Sequence, residues 1–273
     1  MLRYKLIASD FDGTLRRSDG TVSEETKRVV NEFISRGGIF AICTGRMTLS
    51  ILPHARALGL KGLLVAYQGG VIRDIESGAF LRDLRIPNAD AVMLCEFLEK
   101  DGYHVHAYDG DRFFVNADDG FRSMYEQICR VHGILTPQNI SETVKREGFG
   151  ANKIVVMCEP SKHDGLLSRC LAAFGDRFYI TSSMDQMVEI APKGADKGGA
   201  LEFLARHYTV PVAETIGVGD NFNDLPLIQR AGLGVAIGNA VEELKAAAGF
   251  TTKSCDEDGV AYVIRKFALG EEE

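Results

Sequence analysis

The sequence predicts an α/β protein in which a Rossmann-like core, built on a parallel sheet, carries an inserted α+β domain. Short apolar runs alternate with amphipathic helical segments near both ends of the chain, which is the order expected of βαβ units. Between these regions the pattern changes to hairpins and helices. Several apolar runs end in acidic or polar residues, and ligands of open α/β sheets bind where parallel strands end.

Length and composition are those of an ordinary globular protein. The 273 residues suggest two domains of ~150 residues each. The net charge of −7 argues against a nucleic-acid partner, although a metal ion would still allow an anionic small molecule to bind. The six cysteines form no CxxC pair, which favours reduced thiols, and no apolar run approaches the ~18 residues of a membrane span. We therefore expect a cytoplasmic protein without a membrane partner; the sequence leaves its oligomeric state open.

The first part of the chain alternates predicted strands and helices. The strands are the apolar runs at residues 5–9, 38–44 and 63–67. The first helix begins after Ser23, an N-cap followed by two glutamates, and its apolar stripe ends at Gly37. A second helix is predicted at 48–58. Right-handed crossovers then place the three strands in one parallel sheet.

The pattern changes between Arg82 and Pro87 and the βα rhythm returns at Ala195. The intervening helices are predicted at 88–100, 118–132 and 162–174, and the strands in a hairpin at 103–116 and at 153–158, 178–181 and 187–190. The last region predicts helices at 197–207 and 223–230 and strands at 214–218 and 234–237. We assign residues 84–188 to an inserted domain and residues 1–83 and 189–273 to a discontinuous core.

Two carboxylates follow the first strand in the segment DFDGTL, Asp10 to Leu15. Strand periodicity sends Asp10 and Asp12 to the same side, and Gly13 permits a sharp turn. At ~4 Å and an effective dielectric of ~20 two such charges repel by ~4 kcal/mol, so the site should bind a cation or hold a proton. An acidic turn exposed to solvent is the alternative for this segment taken alone.

Other predicted strand ends favour a binding site. The run at 214–218 leads into GDNFND, which brings Asp220 to the same sheet edge, so Asp10, Asp12 and Asp220 form a candidate Mg²⁺ site. Thr44, Gly45 and Arg46 follow another strand, where a hydroxyl and backbone N–H groups could hold a phosphoryl oxygen, or Thr44 could simply cap a helix. Lys197 opens a helix, where a cation opposes the helix dipole unless carboxylates and a phosphate lie beside it.

These segments resemble the four motifs of the haloacid dehalogenase superfamily of phosphotransferases. DFDGTL resembles the first motif, Thr44 with Gly45 and Arg46 the second, Lys197 the third and GDNFND the fourth, all in the family's order. The insertion lies where that superfamily carries a type C2 cap, and it resembles the C2B cap of the Cof-type sugar-phosphatase group. The resemblance covers nearly the whole chain.

The resemblance implies a Mg²⁺-dependent phosphomonoester hydrolase that acts on a small phosphorylated metabolite such as a sugar phosphate. Asp10 would attack phosphorus to give an aspartyl-phosphate, and Asp12 would act as acid and base. The carboxylates of Asp10 and Asp220 and the backbone carbonyl of Asp12 would hold the metal. Asp224 would orient the metal's water ligands, and the phosphoryl group would contact Thr44, Gly45, Arg46, Lys197 and Asn223.

Three points stay open at the level of sequence. The family commonly has Asn-Gly after its third strand, whereas this chain has Gln68-Gly69. The sequence does not show which cap residues contact the leaving group. The candidates, each of which also suits a surface or core position, are His104, His106, Tyr108, Arg112 and Arg122. A hexose phosphomutase and a noncatalytic phosphate sensor are the alternative functions; the paired Asp10 and Asp12 argue against a sensor, which needs no acid/base group.

Overall fold

The computed structural model describes residues 2–271; Met1 and residues 272–273, which the predicted core includes, lie outside the described residues. The strands are β1 (Leu6–Ser9), β2 (Ile39–Ile42), β3 (Leu63–Ala66), β4 (Val71–Asp74), β5 (Phe80–Asp83), β6 (His104–Asp109), β7 (Arg112–Val115), β8 (Ile134–Leu135), β9 (Ile154–Met157), β10 (Phe178–Met184), β11 (Met187–Pro192), β12 (Thr215–Gly219), β13 (Leu233–Ala236) and β14 (Phe250–Thr251).

Ten α-helices accompany these strands within residues 2–271. They are α1 (Glu24–Ser35), α2 (Thr48–Ala57), α3 (Asn88–Glu99), α4 (Gly120–Cys129), α5 (Ile140–Glu147), α6 (Pro160–Phe174), α7 (Lys197–His207), α8 (Leu225–Arg230), α9 (Glu242–Ala247) and α10 (Gly259–Val263). A 3-10 turn, Phe222–Asp224, precedes α8, and a π-helix, Ile264–Leu269, follows α10.

The core is a parallel five-stranded sheet in the order β14-β13-β12-β1-β2. β1 lies between β12 and β2 and is buried along its whole length, so its residues pack on both faces. Ile7 packs with Val29 and Phe33 of α1, whereas Leu6 and Ala8 pack on the opposite face with the side of α7 that carries Leu201 and Leu204. The predicted α/β class with a parallel core sheet is confirmed.

The predicted N-cap of α1 is also present. Ser23 has an extended backbone, and its hydroxyl accepts a hydrogen bond of 2.9 Å from the backbone N–H of Thr26. Asp258, from the far end of the chain, accepts hydrogen bonds from the hydroxyls of both Ser23 and Thr26. The start of α1 is therefore fastened to the C-terminal helices, which pack against it.

The third predicted strand departs from the expected parallel sheet. β3 meets the core sheet through one parallel bridge, Cys43 with Val65, and otherwise forms an antiparallel three-stranded sheet in the order β3-β4-β5. β4 and β5 were not predicted, because both are only four residues long and half-exposed along much of their length.

The inserted region forms a six-stranded mixed sheet in the order β10-β11-β9-β6-β7-β8. The predicted hairpin around Asp109 and Gly110 is present as β6 and β7. One face of the sheet packs against α3, α5 and α6, and the other packs against α4. We call this unit the cap. β11 is a single strand of the cap sheet up to Pro192, so the sheet extends four residues beyond the boundary at 188 that the sequence suggested.

The described residues contain no helix that is both long enough and apolar enough to cross a bilayer. All six cysteines are free thiols and all are buried. Burial raises the pKa of the Cys43 and Cys95 thiols, which keeps them protonated and unreactive.

Candidate active site

Three neighbouring strands of the core sheet bring the predicted site residues together. Asp10 follows β1, Asp220 follows β12 on one side, and Thr44 lies just beyond β2 on the other. The backbone N–H of Asp10 donates to the carbonyl of Val218 at 2.9 Å, which continues the β1–β12 ladder into the site. Because all three strands are parallel, their carboxyl ends meet at one sheet edge, as the sequence predicted.

Gly13 makes the close approach of the first and fourth motifs possible. Its φ is +71°, and a Cβ at this position would lie 2.6 Å from Oδ2 of Asp220. The next residue, Thr14, donates its hydroxyl proton to Oδ1 of Asp220 at 2.9 Å. The turn after Asp12 therefore holds the Asp220 carboxylate in place as well as reversing the chain.

Lys197 lies fully buried between two carboxylates. Its Nζ donates to Oδ1 of Asp10 and to Oδ1 of Asp224, each at 2.6 Å. Burial alone would lower the pKa of Lys197, but the two carboxylates raise it well above its ordinary value. The ammonium of Lys197 is therefore charged and lies beside Asp10. The sequence left this cation at the start of a helix without a local partner, and the two carboxylates are its partners.

The acidic residues of the site repel one another. Burial raises the pKa of Asp10 well above its ordinary value, and Asp224 and Asp220 add to that rise while Lys197 opposes it. Burial and then Asp224 raise the pKa of Asp220 to about 6. One lysine does not neutralise three carboxylates, two of them buried and the third partly buried, so a further positive charge would stabilise the cluster.

The donor set suits a hard divalent cation. Carboxylate oxygens of Asp10, Asp220 and Asp224 all lie within 4.8 Å of one another, and oxygen ligands of this kind are those that Mg²⁺ prefers. Asp224, which the sequence placed outside the ligand set, belongs to this cluster, and its Oδ2 also accepts hydrogen bonds from the backbone N–H groups of Asp220 and Asn221. The side chain of Asp12 lies outside the cluster.

Asp12 is held by two arginines. Arg46 donates from Nε to Oδ2 at 2.6 Å and from Nη2 to Oδ1 at 2.7 Å, and Arg16 donates to Oδ1 at 3.0 Å. Burial alone would raise the pKa of Asp12, but the hydrogen bonds and charge of Arg46, followed by those of Arg16, lower it. The guanidinium of Arg46, predicted to contact phosphate, is bound to Asp12 in this structure.

The loop after β2 leaves one donor free for a ligand. Thr44 Oγ1 accepts from the backbone N–H of Arg46 at 3.2 Å, which leaves the hydroxyl proton available to a phosphoryl oxygen. A Cβ on Gly45 would lie 2.4 Å from Nε2 of Gln68, so the side chain of Gln68 occupies the space that glycine leaves.

Gln68 links the catalytic loops to the cap. Its backbone is left-handed, with φ of +58°, and its side chain is fully buried. Nε2 donates to Oε1 of Glu189 on β11 at 2.9 Å, and Oε1 accepts from Nδ2 of Asn223 at 3.2 Å. Asn223 Oδ1 is buried and has no hydrogen-bond partner among residues 2–271. Gln68, where the family commonly has Asn, thus contacts both Glu189 of the cap and Asn223 of the core.

A buried ion pair lies at the cap side of the same network. Lys153, just before β9, donates to Oε2 of Glu189 at 2.7 Å and to the carbonyl of Gly45 at 3.0 Å. Ser183 donates to Oε1 of Glu189 at 2.7 Å. Both charged side chains are almost fully buried, and the sequence analysis missed them. The available signal was one charged residue beside or inside an apolar run: Lys153 directly precedes β9, and Glu189 lies within β11.

The core and the cap together enclose a cavity of about 350 Å³. Its walls include Asp10, Asp12, Thr44, Gly45, Arg46, Asp220 and Asn223 from the predicted site, and Arg16, Tyr125, Ile128, Cys129, Lys153, Ser183, Met184, Met187, Glu189 and Asn221 beyond it. Lys197 and Asp224 lie behind this lining.

The five candidates for cap contacts, for which the sequence also allowed a surface or core position, are absent from the cavity lining. His104, His106 and Tyr108 share one buried face of β6, with 2.7 Å between the Nε2 atoms of the two histidines. Arg112 pairs with Asp109, and Arg122 pairs with Glu126. They serve the structure of the cap, and the cap residues that line the cavity come from α4, from the β10–β11 hairpin and from Lys153 just before β9.

Comparison with known proteins identifies the family. Residues 7–264 match the model of the haloacid dehalogenase-like hydrolases, and the chain belongs to that family. An HMP-PP phosphatase from Serratia proteamaculans is 30% identical over 250 residues, covering 89% of this chain and 87% of the relative. The 5-amino-6-(5-phospho-D-ribitylamino)uracil phosphatase YwtE of Bacillus subtilis is 29% identical over 294 residues, covering 98% and 99%.

A solved structure agrees with the fold. The crystal structure of TM0651 from Thermotoga maritima superposes with a TM-score of 0.82 at 30% identity, covering 96% of this chain and 97% of that one. The predicted membership of the haloacid dehalogenase superfamily and of its Cof-type group is confirmed, and the chain is a phosphatase acting on a phosphorylated small molecule.

Proposed function

We propose that the chain is a Mg²⁺-dependent phosphomonoester hydrolase in which Asp10 is the nucleophile. The observation that carries this proposal is the arrangement at Asp10: a buried carboxylate whose Oδ1 receives the Lys197 ammonium at 2.6 Å and which borders the cavity next to Asp12. A carboxylate can attack phosphorus without a separate activating base. Asp10, Asp220 and Asp224 would hold Mg²⁺, which supplies charge neutralisation at the phosphoryl oxygens when bound.

Hydrolysis then takes two displacements at phosphorus. A carboxylate oxygen of Asp10 forms a bond to phosphorus while the bond to the leaving oxygen breaks, and Asp12 gives that oxygen a proton. Water next attacks the phosphorus of the aspartyl-phosphate, Asp12 takes back a proton, and the bond to Asp10 breaks to release inorganic phosphate. Arg46 and Arg16 favour the ionised form of Asp12, which accepts the proton from water in the second step, whereas the first step requires Asp12 to have taken up a proton against that preference.

Other residues would hold the phosphoryl group during both steps. The free proton of the Thr44 hydroxyl and the backbone at Gly45 face the cavity, and the Lys197 ammonium lies behind Asp10. Each supplies positive charge where charge shifts among the phosphoryl oxygens. The relatives named above act on different esters, so the kinship supports a small phosphate ester as substrate, and the sugar phosphate expected from the sequence stays a prediction.

Activity on 4-nitrophenyl phosphate tests the mechanism. We expect Asp10→Asn to reduce turnover by ~1,000-fold or more while the circular dichroism spectrum stays unchanged. We expect removal of Mg²⁺ with a chelator to reduce the turnover of the wild type to the same extent. The matched control is Asp176→Asn, an exposed carboxylate of the cap. Undiminished turnover in Asp10→Asn or without Mg²⁺ would refute the mechanism.

Release of inorganic phosphate without a bisphosphate activator separates a hydrolase from a phosphomutase.

A further inference from the structure

The loop after β2, residues 44–46, is held by the core at its ends and by the cap in its middle. The backbone carbonyls of its first and third residues accept hydrogen bonds from the backbone N–H groups of Gln68 and Tyr67 in the core, at 3.0 and 2.9 Å. The carbonyl between them belongs to Gly45 and accepts from Nζ of Lys153 in the cap at 3.0 Å. The cap therefore binds the one peptide unit of this loop whose carbonyl the core leaves to it.

The peptide unit that joins Gly45 to Arg46 makes a hydrogen bond at each end. Its carbonyl accepts from Lys153, and its N–H donates to Oγ1 of Thr44 at 3.2 Å. The described residues contain no cis peptide bond, so the C=O and N–H groups of this planar unit point in opposite directions. Because the direction of the carbonyl also fixes that of the N–H, Lys153 acts on Thr44 through one rigid group.

The local backbone does not fix the orientation of this peptide unit. Gly45 has no Cβ, so rotation about its backbone bonds is less restricted than at other residues. Turned over, the unit would direct a carbonyl oxygen toward the Thr44 hydroxyl in place of an N–H group. That oxygen would accept the hydroxyl proton that is otherwise available to a phosphoryl oxygen.

Lys153 is suited to hold the unit in its present orientation. Its side chain is almost fully buried, donates to Oε2 of Glu189 at 2.7 Å, and places its ammonium 5.0 Å from the centre of the Tyr108 ring. Burial alone would lower the pKa of Lys153, but the Glu189 carboxylate raises it, so the donor is charged. Hydrogen bonds from charged donors are stronger than those from neutral ones.

Resting on the proposed hydrolase function, we propose that Lys153 is a positioning residue. From the cap, it holds the peptide unit after Gly45 in the orientation that leaves the Thr44 hydroxyl proton to the phosphoryl group. A cap that is seated on the core thereby completes a phosphate contact that belongs to the core. Lys153 borders the cavity, but this role acts at the phosphoryl end and needs no contact with the leaving group.

A double-mutant cycle between Lys153 and Thr44 tests the inference. We expect Lys153→Met to lower kcat/KM for 4-nitrophenyl phosphate with Mg²⁺ by about tenfold, and Thr44→Val to lower it by about tenfold or more. Since Lys153 acts through Thr44, the double variant should match Thr44→Val within about twofold. Losses that multiply, as expected if Lys153 contacts the leaving group directly, would overturn the inference, and so would an unchanged kcat/KM in Lys153→Met.

The same cycle in a Glu189→Gln background separates positioning from misfolding. Lys153→Met alone leaves the Glu189 carboxylate buried without a counter-charge, whereas Glu189→Gln removes that charge. Circular dichroism checks the fold of each variant. We expect Lys153→Met to lower kcat/KM in this background when Thr44 is present and to have little effect when Thr44 is replaced by valine. Equal effects in both cases would contradict the inference.

Tyr67→Phe is the matched control. It removes another hydrogen bond between core and cap, the one from the Tyr67 hydroxyl to the carbonyl of Gly110, which does not end on the loop 44–46. We expect any loss it causes to multiply with that of Thr44→Val. Coupling as strong as that of Lys153 would assign the effect to the cap as a whole and overturn the inference. A wild type without Mg²⁺-dependent turnover would overturn the proposed function as well.

Discussion

Lys197 is the residue on which the charge balance of the site depends. It lies without solvent exposure between Asp10 and Asp224, and its ammonium donates a hydrogen bond to each. Two buried carboxylates that share one cation are tolerated, whereas the same carboxylates without it would be uncompensated buried charges. The lysine therefore stabilises the fold in addition to the role proposed for it at the phosphoryl group.

We predict that Lys197→Met lowers the free energy of unfolding by about 3 kcal/mol, because Asp10 and Asp224 lose their shared counter-charge. Urea unfolding followed by circular dichroism measures the change. Lys193→Met is the matched control, since that lysine is exposed and its ammonium contacts only a backbone carbonyl, that of Asp176, among the contacts described for it. Equal stability of the two variants would contradict the prediction.

At the scale of single elements, α4 is fastened at its C-terminal end by Glu126. This carboxylate accepts hydrogen bonds from Arg122, from His132 and from the backbone N–H of Gly133. Burial opposes the shift, but these hydrogen bonds lower the pKa of Glu126 from 4.5 to about 2. Because α4 supplies Tyr125 and Ile128 to the cavity, the same carboxylate supports one wall of the active-site cavity.

The lowered pKa of Glu126 predicts an acid-sensitive contribution to stability. Since the folded pKa lies below the unfolded one, the contribution is fully present above pH 4.5 and is lost as the pH falls toward about 2. Glu126→Gln should therefore unfold more easily than the wild type at pH 7, by about 1 kcal/mol, and the difference should shrink at pH 3. Urea titrations at both pH values measure it, with exposed Glu243→Gln as control. A difference that grows on acidification would be the contrary result.

At the scale of the whole molecule, the core and the cap are joined across the site by polar contacts. Gln68 binds Glu189, Lys153 binds the Gly45 carbonyl, and the Tyr67 hydroxyl donates to the carbonyl of Gly110 in the cap hairpin. Gly45 follows Thr44 directly, and Gln68 accepts a hydrogen bond from Asn223. The position of the cap is therefore coupled to the geometry of the phosphate-binding loops.

A double-mutant cycle between Gln68 and Glu189 tests that coupling. We expect Gln68→Leu to lower kcat for 4-nitrophenyl phosphate by about tenfold, because the Asn223 amide loses its anchor. Glu189→Gln should also reduce kcat, and the double variant should lose less than the two effects combined, by about 1 kcal/mol. Gln138→Leu, an exposed cap glutamine, is the control. Strictly additive losses would show that the two side chains act independently.

Much of the fold was predictable because the information is local. The N-cap at Ser23, the hairpin at Gly110 and the exact span of the helix that begins at Lys197 follow from capping, turn chemistry and apolar periodicity. The short strands β4 and β5 and helix α5 were missed, because half-exposed elements of four to eight residues carry weak periodicity. The end of the cap at β11 depends on sheet pairing, which periodicity alone does not report.

By itself, the sequence determined the fold class, the sheet edge and the gathering of Asp10, Asp220 and Lys197, because parallel strands bring their carboxyl ends together whatever else surrounds them. Only the tertiary structure decided which groups complete the site. Asp224 belongs to the carboxylate cluster, Arg46 binds Asp12, and Gln68 binds Glu189, which lies 121 residues away in the chain. Contacts between side chains so distant in the chain depend on how the cap is seated on the core, and no local pattern encodes that placement.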